Sequence, residues 1–351
     1  MFEKTTLGNT GIEVLDKLED GKIIDIVNQV STRLMVAFPD SNLSYLDIYK
    51  TLLDTPMYYA KIPEGLSKAN YYYKDSSIYF AEDADLSEID EYVLHECVHK
   101  LQERKDKKGN ITRLGISEVN ELSVKATALN EGAIQYVTSN AFNMSTKMVT
   151  VYGIELPSKT EYYPIITNLV SQLAFLLGKD ILIDSTINGN EDFKIEIIDN
   201  IGESEYNTIE KNTNAILQAK RDISKLQKQD MTDEEIEKVE ENIGLIRELY
   251  FDTQNTIFTS YFNNLFKRIE DEVDIKVVRR KLETYKNLIG TTTNYYYFDN
   301  YCTNFYRKLD NKSQEIKNRT PLMVIKNNIF FRVLRKIRQF FSSKTGDNQI
   351  K

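Results

Sequence analysis

The sequence contains few of the residues that build covalent cross-links and metal sites. Its 351 residues include two cysteines, two histidines and no tryptophan. Cys97 and Cys302 lie far apart and neither has a second cysteine close by, which excludes a disulfide framework and a cysteine-based metal site. With 6 prolines, 14 glycines and 41% hydrophobic residues, the composition also excludes collagen-like and low-complexity chains. We therefore expect a globular protein of a reducing compartment.

Long apolar segments are also missing. The most apolar stretch, residues 162–177, is interrupted by polar side chains and is followed at once by Lys179 and Asp180. It therefore predicts a buried helix and not a membrane span. Residues 1–5 lack the basic start and apolar run of a secretory signal, so the expected location is cytoplasmic.

Acidic and basic residues are unevenly distributed along the chain. There are 45 Lys and Arg against 53 Asp and Glu, which gives a net charge of −8. Residues 321–351 carry seven basic side chains and one acidic side chain, so the rest of the chain is more acidic than the total suggests. A body this acidic predicts no nucleic-acid partner.

The basic tail, residues 321–351, has the pattern of an amphipathic helix. Its apolar residues share one helical face: Ile329, Phe330, Val333, Leu334, Ile337, Phe340 and Phe341. Such a helix can bind peripherally to an anionic membrane surface, because its apolar face enters the lipid while its cations stay at the headgroups. For this chain the expected surface is the inner face of the membrane. The helix can equally dock on the acidic body of the same chain. The sequence does not indicate whether the chain forms oligomers.

The hydrophobic patterns predict an α+β fold that is predominantly α-helical. Amphipathic helices are expected over residues 24–38 and over Tyr45–Leu53. Short apolar runs at residues 70–73 and Ser77–Ala81, separated by a polar turn, predict a β-hairpin and hence a small sheet.

A second pattern begins near residue 203, where apolar residues recur at helical spacing in two charged runs. Thr232 and Glu235 stand between the runs in the pattern of a capping box, which predicts two antiparallel helices. We therefore expect three parts in the chain. They are residues 1–200, a helical hairpin region at 201–320, and the tail at 321–351.

Both histidines of the chain fall within one pentapeptide, His95-Glu96-Cys97-Val98-His99. Residues four apart share one face of a helix, so His95 and His99 can direct their imidazoles at one metal ion. Glu96 then lies beside the pair, where its carboxylate can act as a general base. Cys97 faces away from the imidazoles and is expected in the core.

Flanking residues predict the ends of the helix that carries this pentapeptide. Ser87 is expected to cap its start, and Gly109, preceded by two lysines, is expected to end it. A second helix is expected to open at Ser117 and to run through Glu131.

A catalytic zinc site has three protein ligands, and this chain has no third histidine. The third ligand must then be a carboxylate. Glu131 is the favoured candidate, because Gly132 beside it lowers helix stability and so indicates close packing against the first helix. Glu121 is the alternative.

Two segments together resemble the zincin metallopeptidases of the gluzincin type: His95-Glu96-Cys97-Val98-His99-Lys100-Leu101-Gln102 and Leu129-Asn130-Glu131-Gly132-Ala133. The segment between them, with Arg113-Leu114-Gly115, resembles the corresponding part of metallopeptidase-like proteins of low-GC bacteria. The resemblance covers about residues 65–200 and implies that residues 1–200 form a zincin-like metallopeptidase domain. It also implies one zinc ion per chain held by His95, His99 and Glu131, with Glu96 as the general base of peptide hydrolysis.

A zincin mechanism also needs a donor to the oxyanion, and no histidine remains for that role. We choose Tyr163, with Tyr162, Tyr152 and Tyr136 as alternatives. By the same resemblance, Ser77–Ala81 is expected to be the edge strand that aligns an extended peptide substrate.

The expected function is therefore a zinc-dependent peptidase that acts on a peptide or protein. Two alternatives stay open: a helical scaffold protein with a structural metal site, and a peptidase delivered as a toxin or effector. Structural zinc normally has four protein ligands, and the sequence offers three convincing ones, which favours a catalytic site.

Overall fold

The computed structural model describes residue 7 and residues 10–119, 127–227 and 231–318. These residues form an α+β protein that is mostly helical and has small sheets, which confirms the expected fold class. The basic tail at 321–351, residues 1–5 and the alternative ligand Glu121 lie outside the described residues.

Strands and helices alternate in the amino-terminal half, and helices follow. The strands are β1 (Glu13–Lys17), β2 (Met57–Lys61), β3 (Ala69–Tyr72), β4 (Ser77–Ala81), β5 (Glu103–Lys105), β6 (Ile111–Leu114), β7 (Ser117–Glu118), β8 (Lys147–Val151) and β9 (Ile154–Ser158). The helices are α1 (Asp20–Ala37), α2 (Tyr45–Leu53), α3 (Glu91–Leu101), α4 (Thr127–Ala141), α5 (Pro164–Leu177), α6 (Lys179–Asn188), α7 (Asp192–Asn200), α8 (Glu203–Leu226), α9 (Asp233–Lys267), α10 (Glu272–Tyr285) and α11 (Tyr297–Asn318).

The largest sheet has four strands in the order β1-β2-β4-β3. β2 and β4 are parallel, whereas β3 and β4 form the expected antiparallel hairpin, with Ser76 in the left-handed region (φ 58°) at its turn. β4 is hydrogen-bonded on both sides, so the prediction that Ser77–Ala81 is an edge strand is wrong. The strand of the hairpin that lies at an edge of the sheet is β3, and β1 forms the opposite edge.

The core of this part of the chain packs α1, α2, α3 and α4 against one face of the sheet. Leu34 of α1, Phe80 of β4 and Val98 of α3 are fully buried in it. Cys97 is also fully buried there, as expected, and burial raises the pKa of its thiol. α3, which carries the histidine motif, is therefore fixed by its apolar face.

The ends of α3 differ from the prediction. Asp90 caps the helix, because its Oδ1 accepts a hydrogen bond from the Val93 N–H at 2.9 Å. Ser87, the predicted cap, instead donates its own N–H and Oγ to Asp85. The Asp90 carboxylate lies three residues before Val93 and can therefore reach an amide of the first helical turn. Ser87 lies three residues further towards the amino terminus, too far from that turn to cap it.

The segment after α3 is a sheet and not a longer helix. β5, β6 and β7 form three antiparallel strands; Gly109 (φ 86°) lies in the turn between β5 and β6, and Ser117 pairs with Leu114. The predictions that Gly109 ends α3 and that Ser117 opens the next helix are therefore wrong. A glycine after two lysines serves a hairpin turn as well as a helix end, because both require a left-handed residue.

Helix α5 is buried on nearly all sides, as predicted for residues 162–177. Among the described residues, no single helix has both the length and the apolar composition of a membrane span. α5 and α6 reach that composition only as a pair, and the pair is bent by 120° at Gly178.

α8 and α9 are the two helices predicted from residue 203 onward. The capping box between them is confirmed: the Thr232 N–H donates to Glu235 Oε2 at 2.9 Å, and the Glu235 N–H donates to Thr232 Oγ1 at 3.3 Å. Asn212 and Asp252, each near the middle of its helix, are joined by a hydrogen bond of 2.7 Å. Contact between the two midpoints is what an antiparallel hairpin requires.

The chain divides into two compact units. Among the described residues, the first extends to Asn264 and takes in Glu283–Tyr296, and the second comprises Leu265–Leu282 and Tyr297–Asn318. This division differs from the three parts expected from the sequence, because α8 packs against α4, α5 and α7 of the first unit.

Gly132 marks a close approach between helices, but its partner is α5 and not the predicted α3. A Cβ atom at Gly132 would lie 2.8 Å from Ile166 Cγ2 and 2.9 Å from Val170 Cγ2. Contacts that short do not occur between packed carbon atoms. The absence of a side chain at Gly132 therefore lets α4 lie against α5, which places Glu131 on the neighbouring side of α4.

We expect Gly132→Ala to lower the free energy of unfolding by about 1 to 3 kcal/mol, because the new methyl group forces α4 and α5 apart. This loss should appear although alanine favours a helix by about 1 kcal/mol over glycine. Chemical denaturation measures the change. The control is Gly244→Ala in α9, where no atom lies within 4 Å of the added methyl group, so stability should rise or stay the same. Equal stability of the two variants would contradict this account.

Candidate metal centre

His95 and His99 lie on the same face of α3, with ring centroids 4.9 Å apart. Nδ1 of His95 is 3.0 Å from Gln135 Oε1. Because an amide oxygen can only accept, this contact assigns the proton to Nδ1 and leaves the Nε2 lone pair of His95 available to a metal ion. The helix thus provides the predicted pair, and a residue of α4 sets the tautomer of one member.

Glu131 of α4 faces both imidazoles. Its Oε2 lies 3.4 Å from His95 Nε2 and its Oε1 lies 3.6 Å from His99 Nε2. Both distances exceed those of ordinary N–H···O hydrogen bonds. They match instead the separation of about 3.3 Å between two ligands bound at 2.0–2.1 Å to one tetrahedral ion.

The three donor atoms lie within 4.8 Å of one another and could hold a metal ion. The structure therefore brings together the two histidines and the favoured third ligand predicted from the sequence. Side-chain exposure is 9% for His95, 15% for His99 and 17% for Glu131. The donors are thus largely shielded from water, and a small opening remains.

Burial by itself would raise the pKa of Glu131. Electrostatic interactions and hydrogen bonds with the imidazoles of His99 and His95 outweigh that effect and lower the pKa of the carboxyl group. Glu131 is therefore held as a carboxylate, the form that binds a metal ion.

Glu96 lies next to the donors and has a different environment. The backbone N–H of Tyr71, in the edge strand β3, donates to Glu96 Oε2 at 2.7 Å. Burial raises the pKa of Glu96 to about 7, although His95 and the Tyr71 N–H oppose the rise. Two carboxyl groups in one site thus have pKa values displaced in opposite directions, which is a common sign of a ligand beside an acid–base group.

Tyr71 connects the edge strand to α3 in a second way that sequence patterns did not indicate. Its ring stacks on His99 at 5.8 Å with an interplanar angle of 10°, and its hydroxyl donates to Glu103. Glu103 also accepts from Ser76 at 2.6 Å and from Lys100 at 2.7 Å. The ring of the second histidine is therefore held by a buried network on the strand side of the helix.

A further network holds His95 on the other side. Gln135 Nε2 donates to Thr160 Oγ1 at 2.8 Å and to Glu91, and Thr160 Oγ1 donates to Glu91 Oε1 at 2.9 Å. Gln135 is fully buried and cannot exchange these partners for water. Sequence analysis did not identify Gln135, although its position four residues after Glu131 on the same helix is a signal that could have found it.

The donors and Glu96 open into a cavity of about 540 Å³. Tyr162 and Tyr163, immediately before α5, line it. Of the alternative tyrosines, Tyr136 lines another cavity, and Tyr152 lies in the turn between β8 and β9.

Tyr163 has a left-handed backbone (φ 47°) at the start of α5. That conformation costs a non-glycine residue about 1 to 2 kcal/mol, so the surrounding structure maintains it. Burial, reinforced by the charge of Glu131, raises the pKa of Tyr163. Its hydroxyl therefore stays protonated and able to donate a hydrogen bond.

The cavity has a cationic wall that sequence analysis did not predict. Lys220 and Arg221 of α8 line it, and Lys220 Nζ lies 3.9 Å from the centroid of the Tyr163 ring. Burial lowers the pKa of Lys220, and the charge of Glu131 opposes that shift. The sequence pattern of α8 does not distinguish Lys220 and Arg221 from the solvent-exposed basic residues of the same helix.

No family model, curated protein or solved structure matches this chain. The resemblance to zincins accordingly rests on the sequence alone, on His95, Glu96, His99 and Glu131 and the residues around them.

The Glu103 network predicts a pH-dependent contribution to stability. Burial alone would raise the pKa of Glu103, but hydrogen bonds from Lys100, Ser76 and Tyr71 outweigh it and lower the pKa. A lowered pKa in the folded state means that the stabilisation is complete above the unfolded value near 4.5 and is lost as the pH falls below it. We expect Glu103→Gln to lower the free energy of unfolding by about 2 kcal/mol at pH 7. The difference from the parent should shrink towards pH 3.

Denaturation at several pH values measures this difference. Glu234→Gln is the control, since it removes an exposed ion pair with Lys238 on α9 and should change stability little at any pH. A Glu103→Gln effect that is the same at pH 3 and pH 7 would show that the charge of Glu103 is not the cause.

Proposed function

We propose that this chain is a zinc-dependent peptidase whose metal ligands are His95, His99 and Glu131 and whose general base is Glu96. The observation that carries the proposal is the set of separations between the three donors, 3.4 Å and 3.6 Å from the two Nε2 atoms to the carboxylate oxygens. Two imidazoles and one carboxylate form a donor set that suits zinc and leaves a coordination position open.

The chain's own residues support the remaining chemistry. A zinc ion bound at this site supplies Lewis acidity to a water molecule and to a peptide carbonyl group. Glu96 can take a proton from that water at Oε1, because Oε2 is already occupied by the Tyr71 N–H. In the metal-free site burial raises the pKa of Glu96 to about 7, and this tendency to take up a proton suits a general base. We assign the role of donor to the oxyanion to the Tyr163 hydroxyl, because Tyr163 lines the same cavity and stays protonated.

A structural role for the metal is less well supported. Structural zinc has a closed set of four protein ligands, whereas the metal-competent group found among the described residues has three members and opens into a cavity of about 540 Å³. An open position next to a cavity is the arrangement of a catalytic site. The cytoplasmic location, the membrane contact of the tail and a toxin or effector role stay predictions.

We expect Glu96→Gln to keep the metal ion and to reduce peptide hydrolysis by a factor of about 100 to 10,000, because the water loses its base. His95→Ala and Glu131→Ala should lose both the metal ion and the activity. Metal content by elemental analysis and cleavage of a peptide mixture by mass spectrometry measure these outcomes. Full activity of Glu96→Gln would contradict the mechanism, and retention of the metal by Glu131→Ala would point to Glu121.

The contact between Gln135 and His95 gives a separate prediction. Gln135→Met keeps the volume of the side chain but removes the acceptor that fixes the His95 tautomer, so zinc affinity should fall by about 10 to 100 times. Competition with a zinc chelator measures it. Thr138→Val is the control on the same helix, because Thr138 Oγ1 is buried without a hydrogen-bond partner and its loss should leave affinity unchanged. Equal affinity in folded Gln135→Met and parent would exclude this orienting role.

A further inference from the structure

Lys220 and Arg221 line the same cavity as the proposed metal ligands, although they belong to α8 and follow Glu131 at a long distance in the chain. α8 is fixed to α4: Asn214 Oδ1 accepts the Ala128 N–H at 3.0 Å, and Leu217 is buried one turn before Lys220. The part of α8 that carries the two cations therefore holds a defined position relative to the helix that carries Glu131.

Neither cation is neutralised by another residue that the structure describes. Among residues 10–119, 127–227 and 231–318, no carboxylate forms an ion pair or hydrogen bond with Lys220 or Arg221. Glu131 is the acid whose charge Lys220 feels most, but its two oxygens face His95 and His99. Lysine is rarely buried without a partner, and Lys220 is half-buried.

The other acidic side chains that line the cavity either accept hydrogen bonds from other residues or are exposed to solvent. Glu91 accepts hydrogen bonds from Gln135 and Thr160, and Glu161 is exposed. Lys225, the other cation of this wall, pairs with Asp222 at 3.0 Å. The unpaired positive charge of the cavity is thus concentrated at Lys220 and Arg221.

We infer that Lys220 and Arg221 bind a carboxylate of the substrate, so that the peptides recognised by this chain carry an acidic group close to the scissile bond. This inference rests on the proposed function. The acidic group is either the side chain of Asp or Glu or the free carboxyl terminus of the peptide. Both sources present two anionic oxygens to a compact ammonium group and a planar guanidinium group.

The geometry favours recognition over general attraction. The Tyr163 ring lies under the Lys220 ammonium group at 3.9 Å and limits the positions it can take. A cation held in place in a half-buried wall loses little freedom when a carboxylate binds, and partial exclusion of water strengthens the contact. An uncharged amide of the same shape would leave Lys220 without a partner.

The test compares peptides that differ only in one charge. Blocked alanine-rich hexapeptides carry one Glu at each position in turn, each matched by a Gln peptide, and an all-alanine peptide is made with a free or an amidated carboxyl terminus. Binding is measured by calorimetry to the zinc-loaded Glu96→Gln protein, which should not turn over the peptide. Cleavage is measured with the zinc-loaded parent.

We expect at least one acidic peptide to bind about 10 times more tightly than its uncharged match. Adding Lys220→Gln should remove the difference, adding Lys220→Arg should keep most of it, and adding Lys225→Gln should leave it unchanged because that lysine is already paired. A preference confined to the Glu peptides identifies a side chain, and one confined to the free terminus identifies the terminal carboxylate.

The outcomes separate this inference from the proposed function. Equal binding of charged and uncharged peptides, or no binding of any acidic peptide, overturns the carboxylate site whether or not the parent cleaves. A preference that survives Lys220→Gln overturns it as well. Selective, Lys220-dependent binding without any cleavage by the parent keeps the carboxylate site and rejects the peptidase.

Discussion

The burial of one carboxylate between two imidazoles is the constraint on which the site depends. A buried charge is expensive unless polar groups compensate for it, and here the imidazoles of His95 and His99 from a different helix face the Glu131 carboxylate. That compensation requires α4 to lie in one position against α3. The close contact of Gly132 with α5 provides it, because α4 is then enclosed by helices on both sides.

Side chains from distant parts of the chain hold each functional group in place. Tyr71 of β3 makes three separate contacts: its N–H with Glu96, its ring with His99 and its hydroxyl with Glu103. On the opposite side, Gln135 contacts His95, and Thr160 in turn accepts a hydrogen bond from Gln135. The donors are therefore positioned by buried networks and not by the helix geometry of α3 alone, which is how precise metal and catalytic sites are built.

What the sequence predicted correctly is encoded within a few residues. The span of α2, the β3–β4 hairpin, the capping box at Thr232 and the two histidines on one helical face all follow from local spacing. One error is local, because Asp90 and not Ser87 caps α3. The other errors concern the pairing of strands: whether Gly109 ends a helix or turns a hairpin, and which strand of the sheet is outermost. Lys220 was not predicted, because only the docking of α8 distinguishes it from a solvated lysine. Glu131 could be identified because the glycine next to it, Gly132, is a local sign in the sequence that two helices pack closely at this point.

The origin of the three donors on two helices has a consequence for the newly made chain. The histidines come together as soon as α3 forms, but Glu131 reaches them only after the intervening chain has folded and α4 has docked. A pair of imidazoles is an incomplete donor set, so a zinc ion bound as proposed would be fully coordinated only in the folded chain. In a peptidase assembled in this order, hydrolytic activity would be withheld from partly folded molecules, and ribosomes and nascent chains nearby would not be exposed to it during synthesis.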